Sequence, residues 1–84
     1  MANMKQIVPG IKNSQKIRVI VSGVGFHTTV QGALDGMCFG SQRTAVEATL
    51  YALVKDQQKA KSASEVPTGL ATTVGGIQVQ VDIV

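Results

Sequence analysis

Residues 77–84 read Ile-Gln-Val-Gln-Val-Asp-Ile-Val. The apolar side chains Ile77, Val79, Val81 and Ile83 alternate with Gln78, Gln80 and Asp82. Strand side chains point to opposite faces with period two, so the segment predicts a half-buried strand. One face lies on a core and the other in water. Such a strand pairs inside its own sheet or with another copy of the protein. Read as an edge strand, it has only Asp82 to discourage unwanted pairing, and an unprotected edge is a hazard unless it is used. Ile77, Val79, Val81 and Ile83 are therefore the expected contact of a homodimer, with the exposed sheet face as the other route.

Size sharpens that expectation. A chain of 84 residues makes one domain. At this length folding buries only about 60% of the unfolded surface, so the stability margin is thin. A lone cysteine, Cys38, cannot close an internal disulfide, and with His27 the only histidine no structural zinc site of the Cys/His type is available. Self-association remains as the common device. No cofactor or metal is expected.

Apolar residues make up 44% of the chain, enough for a core, and charged residues 15%. The latter falls below the roughly 25% of an average soluble domain, so disorder is not expected. No apolar run approaches the ~20 residues of a membrane span. The first residues lack the apolar stretch of an export signal. A lone cysteine without such a signal fits a reducing cytoplasm.

Charge is unevenly spread. Lys5, Lys12, Lys16 and Arg18 all precede the first acid, Asp35, so residues 1–34 carry +4. Residues 35–84 hold four basic and five acidic side chains, a net −1. A basic arm can attract phosphate or an acidic protein. It can equally be a solvated arm, since four spread charges are not a dense cationic cluster.

Along the chain, residues 1–15 form a basic, partly ordered arm. Pro9-Gly10 and Asn13-Ser14 mark turns there, while Ile7, Val8 and Ile11 can dock on a core. Residues 16–84 form the α+β domain. Residues 16–22 predict a strand with Ile17, Val19 and Val21 on one face; Ile20 opposite them suits a central strand buried on both sides. Gly23-Val24-Gly25 reads as a turn and residues 26–31 as a second strand of an antiparallel hairpin. A helix over 27–37 competes, weakened by Gly32 and Gly36 at about 1 kcal/mol each. Asp35-Gly36 reads as a tight turn and Met37-Cys38-Phe39 as a short third strand.

The strongest helix spans 41–61. Val46, Leu50, Leu53 and Val54 make one apolar stripe. Ser41 or Thr44 serves as its N-cap, and Thr44 with Glu47 has capping-box spacing. Lys55, Lys59 and Lys61 complement the helix dipole at its end. Residues 62–76 read as a linker, which at fifteen residues exceeds the usual ~4–6; it is either a mobile or ligand-facing loop or simply the span needed to return to the sheet edge. The expected architecture is a small, mainly antiparallel sheet in the order β-β-(β)-α-β with one helix packed on one face.

Catalysis by acid and base needs two titratable groups brought together. The candidates are His27, Asp35, Cys38, Glu47 and Tyr51. A Cys38–His27 pair would supply an activated thiolate, but a buried cysteine and a surface histidine explain the same residues without chemistry. Gly23-Val-Gly25 lacks the lysine of a Walker loop and the third glycine of a dinucleotide fingerprint. Ile20-Val-Ser-Gly-Val-Gly-Phe26 resembles the anion-binding stretch of acylphosphatases, with His27 where that family continues with arginine. Phe39-Gly-Ser-Gln-Arg-Thr-Ala-Val-Glu-Ala48 is similar to the last-helix signature of double-stranded-RNA-binding domains, with that family's basic cluster reduced to Arg43. Each likeness covers one short segment, and neither assigns the chain to a family.

Three functional classes follow. The first is a non-catalytic regulatory or interaction module that binds another protein, of the inhibitor or adaptor type that phages and other mobile elements encode. The second is a nucleic-acid-binding module in which Lys12, Lys16, Arg18 and Arg43 form one surface beside the start of the helix. The third, an enzyme, would require Cys38 or His27. Salt separates the first two, because phosphate contacts make affinity fall steeply with ionic strength.

Overall fold

The computed structural model describes residues 7–37 and 40–84. Four antiparallel strands form one sheet: β1 (Lys16–Val21), β2 (Val24–Thr29), β3 (Gly69–Val74) and β4 (Ile77–Ile83). One long helix, α1 (Ser41–Lys59), covers one face. The fold is α+β, as the periodicities predict. The strand order is β2-β1-β4-β3.

Two tight hairpins build this sheet. In β1–β2, Val21 faces Val24 across Ser22-Gly23, and both turn residues have positive φ (50° and 84°). In β3–β4, Val74 faces Ile77 across Gly75-Gly76, at φ 58° and 83°. Two-residue turns with positive φ at both positions match the strand twist. The first turn thus falls one residue earlier than Gly23-Val24-Gly25, and β2 begins at Val24 rather than residue 26. The hairpins join through β1 and β4, with Ile17 opposite Ile83 and Val21 opposite Val79.

Three expectations are corrected here. The terminal strand is not an edge: β1 and β3 flank β4 on its two sides. The segment 62–76 is not a loop throughout, because it contains a 3-10 turn (Ala63–Glu65) and all of β3. The segment before α1 is helical rather than a turn and strand. Residues 30 and 31 are helical and Gly32–Met37 form a π-turn. Thr29 begins it, its Oγ1 accepting the Gly32 amide at 3.0 Å. Val30, Ala33 and Leu34 are buried at i, i+3 and i+4, so helical winding puts three apolar side chains in the core. The third-strand expectation at Cys38-Phe39 lies outside the described residues.

The core forms between sheet and helix. Ile17, Val19, Val21, Val79 and Val81 meet Ala45, Val46, Leu50 and Val54. Thr49 is the buried polar residue among those described. Its hydroxyl donates to the Ala45 carbonyl at 2.8 Å and lies 2.6 Å from the Thr72 hydroxyl, which therefore donates to it. This chain of bonds satisfies both groups and seats α1 over β3.

Residues 7–15 close the core beside α1 and the π-turn. Val8 and Ile11 are buried. The Gln15 and Asn13 carbonyls accept the Val30 and Gln31 amides at 3.0 Å. The Tyr51 hydroxyl reaches the Ile7 carbonyl at 3.4 Å. At the start of α1, neither Ser41 nor Thr44 caps by its side chain. Gly40 occupies the N-cap position, and the Thr44 hydroxyl donates back to the Gly40 carbonyl at 3.3 Å. No helix among the described residues is long and apolar enough to cross a membrane.

Candidate functional site

Directly opposed residues of an antiparallel pair share a face. With Ile17, Val19 and Val21 under the helix, Lys16, Arg18 and Ile20 face the other way. Register then places Gly25, His27 and Thr29 beside them, with Gln78, Gln80 and Asp82 from β4 and Gly69, Ala71 and Thr73 from β3. No element of the described chain covers this second face of the sheet.

Its middle row runs Gly25, Ile20, Gln80, Ala71. Ile20 is half-buried although no layer covers it. On either flank glycine and alanine keep the surface low. The result is an open trough of about 390 Å³, lined by Ile20, Gly23, Ala71, Thr73, Gln78 and Gln80. The next row carries the charge: His27, Arg18, Asp82 and Gly69. Arg18 Nη2 lies 2.8 Å from Asp82 Oδ2, which also accepts from Gln80 Nε2 at 3.2 Å. Gly69 makes room for that carboxylate, since a Cβ there would collide with Asp82 Oδ1. Only Lys16 on this face stands without an Asp or Glu partner among the described residues.

The four cations expected to converge do not. Lys16 and Arg18 lie on the bare face, and Lys12 sits in the N-terminal segment. Arg43 is in the opposite layer, on α1. Its Nε donates to the Leu34 carbonyl at 2.9 Å, and its Nη1 to Glu47 Oε2 at 2.7 Å, with Asp35 3.9 Å from Nη2. Arg43 thus clamps the π-turn to the helix, and Glu47 answers it rather than a capping box. Replacing Arg43 by alanine should cost about 1–2 kcal/mol from these bonds. It should speed amide exchange at Ala33 and Leu34 while leaving retention on a nucleic-acid column unchanged. Weaker retention with unaltered exchange would reverse this assignment.

The four residues expected at a dimer contact point inward. Val79 and Val81 are buried, Ile77 and Ile83 are partly buried against the core, and no edge of β4 is free. His27 is exposed on the bare face, and Cys38 lies outside the described residues. The glycine-rich stretch 20–26 forms the β1–β2 hairpin and leads into a strand, not a helix amino terminus. Periodicity did mark Gln78 and Gln80 as solvent-facing. What it could not supply was β3, and with it Ala71 and Thr73, the far wall of the trough.

Comparison with known proteins adds no relative: no family model, no curated protein and no solved structure matches the chain.

Proposed function

We propose that this chain is a non-catalytic protein-binding module, of inhibitor or adaptor type, that holds its partner on the bare face of the sheet. The carrying observation is the chemistry of that face. A half-buried isoleucine sits in a shallow trough among neutral donors and acceptors, with charge confined to one side. Protein interfaces have this anatomy, an apolar centre within a polar rim. A polyanion surface needs converging cations. Here Asp82 answers Arg18 at 2.8 Å, and Arg43 is spent on the Leu34 carbonyl and Glu47.

The test uses three baits: the natural chain, Ile20→Arg, and Lys55→Ala, an exposed change on the helix side. Circular dichroism verifies that each is folded. A partner captured by the natural chain and by Lys55→Ala should be lost with Ile20→Arg. Retention of the same partner by all three would defeat the assignment of the face. Binding to mixed-sequence RNA or DNA at low salt, with release at high salt, would replace it with the nucleic-acid reading.

A further inference from the structure

The sheet has two edges, and they differ. β3 is paired only with β4, and its sequence, Gly-Leu-Ala-Thr-Thr-Val, contains no charge, proline or bulge. Natural edges are usually blunted by one of these devices. The backbone direction can be read from the ladder. The Ile83 amide donates to the Thr68 carbonyl at 2.7 Å, so Thr68 turns its polar groups toward β4. Alternation then directs Leu70, Thr72 and Val74 toward β4, in keeping with the closed two-residue turn after Val74. Gly69, Ala71 and Thr73 therefore present their N–H and C=O groups outward.

We propose that this edge pairs antiparallel with the same edge of a second copy, joining two four-stranded sheets into one of eight. The two-fold axis stands perpendicular to the sheet and passes midway between the two copies of Ala71. Ala71 then opposes its own copy, Gly69 opposes Thr73 and Leu70 opposes Thr72. This register uses every outward group of β3, six N–H···O bonds in all; centring it one residue later loses two of them. A charge at the centre of a self-paired strand would meet its own copy, so an uncharged strand suits a second copy of this chain.

The helix layer agrees with the same geometry. A perpendicular axis puts both helices on one face, side by side. Thr49 is fixed over Thr72, and helical spacing places Ala48 and Ala52 on the flank of α1 beside it, with Lys55 and Lys59 further along the same stripe. Half-buried Leu70 gains cover from the second copy. The opposite edge is less suited: β2 carries His27 among its outward residues and runs into the π-turn, whose Gly32 amide is held by Thr29. This pairing is independent of what occupies the bare face, though it would double that face's length.

Sedimentation equilibrium at tens of micromolar, with circular dichroism on each sample, tests the pairing. The natural chain should weigh twice its 8.8 kDa. Ala71→Pro removes one outward amide and leaves the bonds to β4 intact, a position where an edge strand tolerates proline. Ala71→Lys places a lysine directly opposite its symmetry mate without removing a backbone group. Both should be folded monomers. His27→Pro makes the equivalent change on β2 and should remain dimeric. A monomeric natural chain overturns the proposal. So does a dimer that survives both β3 variants, or one lost only with His27→Pro.

Discussion

Leu50→Ala should remove a large share of the protein's stability. Leu50 is fully buried in the middle of α1, in the core formed with the sheet. Removing such a side chain loses its transfer free energy and leaves a cavity, together about 2–5 kcal/mol. At roughly 0.05–0.15 kcal/mol per residue, a chain this long has only about 4–13 kcal/mol in total. Each kcal/mol shifts the midpoint of a domain this size by roughly 4–8 °C, so Tm should fall by at least ~8 °C. Thermal unfolding followed by circular dichroism measures it. A drop of under ~4 °C would mean that α1 does not rest on the sheet through this residue.

Gly10→Ala should be nearly as damaging, for a reason no hydrophobicity scale contains. Gly10 has φ +95°, where an L side chain costs about 1–2 kcal/mol. A Cβ built there would also lie 2.5 Å from Val54 Cγ1, on the helix that residues 7–15 pack against. Forcing an extra carbon into packed space costs about 1–3 kcal/mol more. Gly23→Ala is the matched comparison. Its φ is +84°, but nothing lies within 4 Å of the added carbon. Gly10→Ala should therefore lose clearly more stability than Gly23→Ala in urea titrations. Equal losses would show that the contact with Val54 is absent in solution.

These two residues also mark the limits of reading the sequence. Leu50 lies on an evident apolar stripe, and α1, β1 and β4 all follow from periodicity alone. Gly10 reads as a turn signal, and its contact with residue 54 belongs to tertiary packing. β3 was hidden because Pro67, Gly69 and Gly75-Gly76 frame it like a loop. The same Gly-Gly is a two-residue hairpin signal, and Thr72-Thr73-Val74 before it is strand-like. Without β3, β4 reads as an edge, and the expected dimer contact falls on residues that face the helix. The bare face was half legible, through Ile20 and the two glutamines. The place of Arg43 is not legible because its partners are Leu34, nine residues earlier, and Glu47, one turn later.

The order β2-β1-β4-β3 carries a kinetic consequence. Each hairpin closes across two residues and involves only neighbours in the chain, so each can form in about 1–10 μs. The central ladder is different: it sets Ile17 against Ile83, with π-turn, helix and β3 between them. Closing that span costs entropy before any contact repays it, which is what slows folding. The barrier therefore lies at the seam between two quickly made halves. Changes along that seam, at Val19 or Val81, will act on the speed of folding, whereas changes in the outer strands will chiefly govern how fast the sheet frays.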